Sequence, residues 1–273
     1  MKYKRILIAG AGGSIGSELT RQLSVNNQVF IFDQNETACF DLAEELKQKG
    51  RQVSFRIGDI REWETVKEIF NEFKPEIVIN AAALKHVTPS QYFPREYVMT
   101  NVIGHLNLIK AVEAYGTEKM LYISTDKAVS GKKNVMGATK MCAETINSAM
   151  GYISVRFGNV LNSRGSVLEI WDRQFKAGEP ITITDLNMER YMMEIPEACS
   201  LVIEAIEKGN GGEVFILDMG KPKKIIDLKN ERYGESYPIE VIGVRPGESM
   251  SEQLMTLDEE KRAIKDGRFF IIK

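Results

Sequence analysis

The sequence predicts an α/β protein built on a doubly wound parallel sheet, with a smaller, partly interleaved C-terminal lobe. Short apolar segments recur through the first 157 residues. Their hydrophobicity is continuous rather than alternating, as expected of strands that are covered on both faces, and the stretches between them have helical spacing. The chain has 273 residues, 43% of them hydrophobic, which is enough to bury such a sheet and to leave a cleft beside a second lobe.

The predicted strands and helices alternate along the chain. The strands lie at 6–9, 29–32, 53–57, 77–81, 120–124 and 153–157. Three of the connecting helices are predicted at 38–49, 62–73 and 102–114. This alternation is typical of βαβ units, whose helical crossovers build a parallel sheet.

The pattern weakens after Phe157, where Gly, Pro and charged residues become more frequent. We therefore expect a main domain at 1–165 and a smaller lobe at 166–273. The apolar segment near 214–218 is able to return to the main sheet as a further strand, which would interleave the two.

Composition excludes several classes of protein. The 36 basic and 38 acidic side chains give a net charge of −2, whereas nucleic-acid binding needs a concentrated basic surface. The three cysteines are widely spaced and odd in number, which favours reduced thiols over disulfides. They show no metal-ligand spacing and there are only two histidines, so no metal site is expected. We find no signal peptide and no apolar stretch of membrane-spanning length, so we expect a cytoplasmic protein without a membrane partner.

A phosphate-binding turn follows the first strand. Glycines at 10, 13 and 16 permit a tight turn, close approach of the backbone to a pyrophosphate and close helix–strand packing. Ser14 and Ile15 open the following helix, whose free N–H groups attract an anion. In this strand–turn–helix context the motif predicts a Rossmann domain that binds NAD(P) at 1–165.

Acidic residues after the next two strands complete the predicted dinucleotide site. Asp33 ends the second strand, where its carboxylate would accept hydrogen bonds from the adenosine ribose and repel a 2′-phosphate, which favours NAD over NADP. Gln34 and Asn35 adjoin the same pocket. Asp59, before Ile60, fits two roles equally well, at the adenine edge or as the cap of a helix that begins near Arg61.

A hydroxyl, a carboxylate and an amine follow the fifth strand as Thr125, Asp126 and Lys127. Open α/β sheets bind their ligands at the carboxyl edge of the strands, so these residues are candidates for acid–base chemistry. A capped turn with a solvated lysine explains the same residues equally well. Lys127 would act as a base only if its pKa fell, which burial beside a nicotinamide cation would cause, and it would titrate together with Asp126.

Several motifs together make the chain resemble the extended short-chain dehydrogenase/reductases. Within them it is similar to the inverting UDP-N-acetylglucosamine 4,6-dehydratases of polysaccharide and flagellin-sugar biosynthesis. The resemblance covers nearly the whole chain and is far more specific than one glycine motif. The residues that carry it lie at 10–16, 80–87, 124–128, 136–140, 156–160, 163–166 and 245–248.

The resemblance implies an internal redox cycle on a nucleotide sugar. NAD or NADP would take a hydride from sugar C4 and return it to C6, so it would stay tightly bound and be recycled. Lys127 would remove the C5 proton, Asp126 would protonate the departing C6 hydroxyl, and reprotonation would invert C5. Ala81, Lys85, Ser124 and Lys140 match cofactor positions, with Lys140 at the nicotinamide ribose.

The resemblance also implies a substrate site. Lys85 and Asn159 match positions at the sugar or cofactor, while Arg164 and Arg245 match positions around the nucleoside diphosphate, where guanidinium groups suit phosphate oxygens. Without that context, surface ion pairs would explain both arginines. The other matching residues are Val167, Thr184 and Glu248, the last as an acceptor for a uridine ribose hydroxyl.

Three departures from the family pattern stand out. Met136 replaces the tyrosine of the usual Tyr-x-x-x-Lys motif, as in some inverting dehydratases, so the base for the C4 hydroxyl is either Thr125 through water or Lys127 itself. The segment 130–133 replaces an Asn-Pro and is one residue longer. The chain also passes quickly from 225–228 to 238–241, where the family commonly continues a helix.

The leading hypothesis is a dehydratase that acts on UDP-N-acetylglucosamine in surface-glycan synthesis, as a homo-oligomer. A C4 epimerase is the enzymatic alternative, because C4 oxidation serves both reactions. The adjacent Asp126 and Lys127 favour the dehydratase, since an epimerase eliminates no water. A non-catalytic dinucleotide-binding protein is the third reading, which the retained Asp126, Lys127 and Lys140 disfavour.

Overall fold

A nine-stranded sheet forms the centre of the computed structural model, which describes residues 1–129 and 134–273. Its strands are β1 (Arg5–Ala9), β2 (Gln28–Asp33), β3 (Val53–Ile57), β4 (Ile77–Asn80), β5 (Lys119–Ile123), β6 (Ile153–Arg156), β11 (Val214–Leu217), β14 (Ile264–Asp266) and β15 (Phe269–Ile272). Their order across the sheet is β14-β15-β11-β6-β5-β4-β1-β2-β3. The short strands are β7 (Asn159–Val160), β8 (Ile181–Ile183), β9 (Glu189–Arg190), β10 (Met192–Met193), β12 (Lys223–Lys224) and β13 (Ile239–Val241).

The first six strands and β11 pair in parallel, which confirms the predicted doubly wound fold. Strand order reverses beside β1, which lies between β2 and β4. Ligands of open α/β sheets bind in the crevice at such a reversal, outside the carboxyl ends of the strands. The topology therefore places the glycine turn after β1 at the expected binding edge.

The helices cover both faces of the sheet. They are α1 (Ser14–Leu23), α2 (Glu36–Gln48), α3 (Trp63–Phe73), α4 (Val87–Tyr92), α5 (Pro94–Val98), α6 (His105–Tyr115), α7 (Val135–Ala149), α8 (Val167–Ala177), α9 (Ile195–Lys208), α10 (Ile225–Tyr233) and α11 (Leu257–Arg262). The helix predicted at 102–114 is in fact α6 preceded by a π-helical turn at Met99–Gly104. None of the helices in the described ranges is both long and apolar enough to cross a membrane.

Successive side chains of β1 point into opposite halves of the core. Ile8 packs with Leu19 of α1 and Val202 of α9, whereas Leu7 packs with Phe70 of α3 and Leu108 of α6. All are fully buried, and burial of each such side chain contributes about 1.5–3 kcal/mol. The continuous apolar strands are thus explained by helices on both faces.

The chain beyond residue 166 contributes to both parts of the molecule. A separate core gathers around Trp171, Ile183 and Ile225. Strands β11, β14 and β15 belong instead to the main sheet, with β15 antiparallel to β11. The smaller lobe is therefore interleaved with the larger one, and the division at 165/166 stays a prediction. Helix α10 continues to Tyr233. The sequence predicts that the chain does not continue a helix beyond 225–228, where the family commonly does, and this prediction is wrong.

Candidate active site

The glycine turn is packed too closely to admit side chains at two of its positions. Gly10 has φ +81°, and a Cβ there would lie 2.6 Å from the Cα of Ala82. A Cβ on Gly16 would lie 2.7 Å from the Cα of Ala11. The turn can therefore bring its backbone close to β4 and to the first turn of α1 only because these residues are glycine.

Asp33 is held at the carboxyl end of β2 by two backbone N–H groups. Gly12 N–H donates to Oδ2 and Asn35 N–H donates to Oδ1, each at 2.9 Å. The Asn35 side chain in turn caps α2 by accepting from Ala38 N–H at 3.0 Å. Each carboxylate oxygen retains a lone pair, so Asp33 can still accept a ribose hydroxyl.

A cavity of about 270 Å³ lies over this turn. Most of the predicted cofactor residues line it, namely Gly10, Gly13, Asp33, Gln34, Asn35, Asp59, Ile60 and Ala81. Its size is near the lower end of small-molecule pockets, about 300–1,000 Å³, which suits part of an extended dinucleotide. The residues present therefore fit the adenosine half of NAD.

Asp59 does not cap a helix. Helix α3 begins at Trp63 with Glu62 at the capping position. The Asp59 carboxylate instead accepts from the Arg61 guanidinium at 2.7 Å and from the Arg61 backbone N–H at 2.9 Å. The helix-capping role is therefore wrong, whereas the role at the adenine edge stays a prediction, with Asp59 lining the 270 Å³ cavity.

Arg164 lies against the glycine turn. Its guanidinium donates to the Gly12 carbonyl at 2.8 Å, and its backbone N–H donates to Ser14 Oγ at 2.9 Å. The Lys85 ammonium donates to the Arg164 carbonyl at 2.7 Å, and burial lowers the pKa of Lys85. Two cationic side chains thus stand beside the turn that the sequence assigns to a pyrophosphate.

Thr125, Asp126 and Lys127 meet where β5 ends, in a short 3₁₀ turn. Thr125 Oγ1 donates to Asp126 Oδ1 at 2.9 Å, and the Lys127 ammonium donates to the same oxygen at 3.1 Å. The ammonium also donates to Asn159 Oδ1 at 2.9 Å. Asp126 is fully buried. The solvated lysine that the sequence left open as an alternative is therefore wrong, because Lys127 is fixed between two acceptors.

Two further charged residues, which the sequence analysis missed, complete this cluster. Glu252 Oε1 lies 3.6 Å from the Lys127 Nζ. Arg190 of β9 places its Nε 3.8 Å from the same Glu252 oxygen. Both side chains are buried. Neither belongs to a motif that the sequence analysis singled out, so only the fold brings them to Lys127.

Charges within the cluster oppose the expected fall of the Lys127 pKa. Burial lowers that pKa, but the negative charges of Asp126 and Glu252 outweigh burial and hold it above its usual value. In the protein alone the Lys127 pKa is thus raised, and its depression beside a bound nicotinamide cation stays a prediction. Burial, reinforced by the charge of Asp126, raises the pKa of Glu252.

Helix α7 carries Met136 and Lys140 one turn apart. Asn134 caps this helix by accepting from Gly137 N–H at 2.7 Å. Met136 is buried and offers no exchangeable proton. The Lys140 ammonium donates to the Ile123 carbonyl at the end of β5, and burial lowers the pKa of Lys140 to about 7.

The other predicted site residues are less closely tied together. Ser124 is buried beside Asp126, and Ile15 and Gly16 lie in the first turn of α1. Within the described residues, Val167, Thr184, Arg245 and Glu248 line neither the 270 Å³ cavity nor a second one of about 380 Å³ beside Ser14. Arg245 N–H donates to Glu248 Oε2 at 3.3 Å in an exposed loop. The segment 130–133 lies outside the described residues.

The doubly wound sheet, the glycine turn with Asp33, and a lysine of α7 bound at the end of β5 define an extended short-chain dehydrogenase/reductase. A family model described as "Polysaccharide biosynthesis protein" matches residues 6–273. The chain belongs to this polysaccharide biosynthesis family, as the resemblance implied.

Relatives of this chain carry more than one activity in their names. The capsular polysaccharide biosynthesis protein CapD of Staphylococcus aureus is 42% identical over 274 residues, 94% of this chain and 46% of that protein. The chain thus spans about half the length of that relative. A UDP-N-acetylglucosamine 4,6-dehydratase (inverting) of Campylobacter jejuni is 30% identical over 98% of this chain and 82% of that protein. A UDP-glucose 4-epimerase of Rickettsia typhi is 31% identical over the same shares.

Solved structures share the fold. The structure of Pen from Bacillus thuringiensis has a TM-score of 0.91 and 39% identity, covering 99% of this chain and 88% of that one. The UDP-glucose 4-epimerase of Thermus thermophilus in complex with NAD has a TM-score of 0.78 and 24% identity, covering 93% and 91%. At 24% identity, the similarity to the Thermus thermophilus structure shows only a shared fold. Overall similarity therefore does not separate a dehydratase from an epimerase, and the site has to be considered.

Proposed function

We propose that this protein is a 4,6-dehydratase that acts on UDP-N-acetylglucosamine, inverts C5 and supplies a precursor for surface polysaccharide. The contact between Lys127 and the buried Asp126 at 3.1 Å is the observation that carries this proposal. Loss of water across C5 and C6 requires a base for the C5 proton and an acid for the departing hydroxyl. A C4 epimerase needs no acid for a leaving group, so the contact favours the dehydratase.

One proton shift within the contact produces both catalytic groups. When the proton of the Lys127 ammonium moves to Asp126 Oδ1, the ion pair becomes an amine and a carboxylic acid. The amine then takes the C5 proton and the acid protonates the leaving hydroxyl, which restores the ion pair. C5 is reprotonated from solvent on its other face, which inverts that centre and introduces a solvent hydrogen.

Thr125 is placed to assist at C4. Its hydroxyl donates to Asp126 Oδ1 and accepts from the Lys127 backbone N–H at 3.4 Å, so one oxygen lone pair remains to accept from a water or from the sugar hydroxyl. This geometry favours Thr125 over Lys127 as the route by which the C4 hydroxyl loses its proton, which would pass through a water to solvent. The Lys127 ammonium contacts Asp126 and Asn159, and its amine is assigned to the C5 proton.

The residues of the cleft would hold NAD in preference to NADP. When bound, the dinucleotide supplies hydride transfer from C4 and back to C6, with no net oxidation. Asp33 would bind the adenosine ribose, and its charge would repel a 2′-phosphate. Arg164 and Lys85 stand beside the phosphate turn and would retain the pyrophosphate, so that the cofactor remains bound between turnovers.

We also propose a cytoplasmic homo-oligomer. Apolar side chains are exposed on neighbouring helices, with Val98 43%, Leu106 37% and Met141 41% exposed, and a second copy would cover them. Light scattering of the purified protein is expected to give a mass above the 30.8 kDa of one chain. A monomer at micromolar concentration would contradict the oligomer. Recovery of the native protein in the membrane fraction would contradict the cytoplasmic location.

Substitution of Lys127 tests the proposed reaction. The variant Lys127→Met keeps the length of the side chain and removes the amine. We expect it to convert no UDP-N-acetylglucosamine while retaining the dinucleotide content of the wild type. Unchanged turnover in a folded variant would show that Lys127 is not the base. Change of configuration at C4 without loss of water, in either protein, would favour an epimerase.

A further inference from the structure

Glu252 is buried against the catalytic pair although it belongs to a distant part of the chain. It lies between the exposed 245–248 loop and α11, and its Oε1 approaches both Lys127 Nζ and Arg190 Nε. Its Oε2, like Asp126 Oδ2, is buried without a hydrogen-bond partner among the described residues. Burial of an unpartnered carboxylate oxygen is costly, so this arrangement calls for a functional reason.

The backbone around Glu252 is fixed from two sides. The Arg190 guanidinium donates to the Ser249 carbonyl at 2.7 Å and to the Met250 carbonyl at 3.1 Å. The Arg156 guanidinium donates to the Leu254 carbonyl at 2.9 Å. The carboxylate is therefore directed at Lys127 by a rigid support.

The four charges of the cluster sum to zero. Asp126 and Glu252 are negative, whereas Lys127 and Arg190 are positive. The proton shift from Lys127 to Asp126 leaves this sum unchanged, because Glu252 and Arg190 still compensate each other. Without Glu252, the charge of Arg190 would be uncompensated and would repel the Lys127 ammonium.

We propose that Glu252 is a positioning residue, which holds the Lys127 amine beside Asp126 and sets its protonation state by balancing Arg190. This inference deepens the proposed dehydratase function and rests on it for its catalytic meaning. The titratable and charged groups that face the cluster are Asp126, Arg190 and the phenol of Tyr191, which senses the charge of Asp126.

The direct test measures Lys127 without requiring activity. In Glu252→Gln the pKa of Lys127 is expected to fall by about 1 unit or more, the scale of one opposite charge at this distance. Acetic anhydride labels only the neutral amine, and peptide mass spectrometry reports Lys127 separately from other lysines. At pH 9, Lys127 should therefore label about tenfold faster in the variant, since 1 pKa unit is a factor of ten.

Matched variants separate charge from loosened structure. If Glu252→Gln does not fold, Glu252→Met replaces it, and Lys127 should again label about tenfold faster at pH 9. Glu252→Asp keeps the charge and should keep the slow labelling of Lys127. The exposed Glu179→Gln is the control and should label as the wild type does. Greater accessibility would speed labelling equally at pH 9 and pH 12, whereas a lower pKa speeds it only at pH 9. Equal labelling of Lys127 in Glu252→Gln and wild type would overturn the proposal.

A second readout connects Glu252 to the reaction. Loss of water requires the proton that Lys127 and Asp126 share, so the alkaline pH limb of turnover should move to lower pH in Glu252→Gln by the same amount as the Lys127 pKa. An unmoved limb in an active variant would overturn the positioning role. If the labelling shift is found but wild type incorporates no deuterium, then the dehydratase proposal fails while the effect of Glu252 on Lys127 stands.

Discussion

Asp126→Asn should separate the two halves of the proposed elimination. The substitution preserves the shape of a fully buried side chain and still offers an oxygen to the Lys127 ammonium, but it cannot donate an acidic proton. A positioned general acid contributes about 10²- to 10⁴-fold to rate. We expect turnover to the 4-keto product to fall by about that factor.

The same substitution should leave the base competent. Asp126 is the largest of the charges that raise the pKa of Lys127 against burial, so its removal lowers that pKa by about 1–3 units. Lys127 then removes the C5 proton more readily near neutral pH, provided that C4 is oxidised. Recovered UDP-N-acetylglucosamine should therefore contain deuterium at C5 although little water has been lost.

The assay is mass spectrometry and NMR of recovered sugar nucleotide after incubation in deuterated water. Asp41→Asn, at an exposed position of α2, is the control and should match the wild type. Thermal unfolding verifies that the Asp126 variant is folded. Wild-type turnover in folded Asp126→Asn would refute the role of this residue as the acid. Loss of deuterium exchange together with dehydration would refute the separation of acid from base.

Three further predictions concern the cofactor site and Lys140. Gly16→Ala places a Cβ 2.7 Å from the Cα of Ala11, so we expect about 1–3 kcal/mol lower stability in denaturant titration and less co-purifying dinucleotide; full dinucleotide content would contradict the role of the turn. Asp33→Asn should narrow the preference for NAD over NADP by about tenfold or more, about 1.4 kcal/mol, in binding titrations, because the repulsion of a 2′-phosphate is removed; an unchanged ratio would show that Asp33 does not set it. Burial lowers the Lys140 pKa from 10.5 to about 7, so the unfolded chain binds more protons between these values and stability should rise with pH across that window. Lys140→Met should flatten that part of the profile in urea titrations of cofactor-free protein at pH 7 and 9, whereas an identical slope would contradict the buried neutral amine.

Local signals made the cofactor half of the site readable from the sequence. Strands β1 and β2, the glycines at 10, 13 and 16, and Asp33 lie in one βαβ unit, where spacing along the chain determines spacing in the fold. The positions of Gly10, Gly13 and Asp33 in one cavity follow directly. The same locality placed Thr125, Asp126 and Lys127 at one strand end.

Long-range features were beyond such signals. Glu252 lies 125 residues after Lys127 in sequence, in a segment without regular periodicity, and only the Arg190 and Arg156 contacts direct it to the cluster. The antiparallel strands β14 and β15 were missed for a related reason, since their pairing with β11 depends on the end of the chain returning to the sheet. The contact of Arg164 with the glycine turn is also long-range, and the assignment of Arg164 to the substrate stays a prediction.

Incubation of the purified protein with UDP-N-acetylglucosamine in deuterated water, without added cofactor, tests the central claim most directly. We predict a product that has lost one water, contains deuterium at C5 and forms with a retained dinucleotide. A product of unchanged mass with altered configuration at C4 would contradict the dehydratase and support an epimerase. No reaction, even with NAD or NADP supplied, would contradict the proposed activity on this substrate.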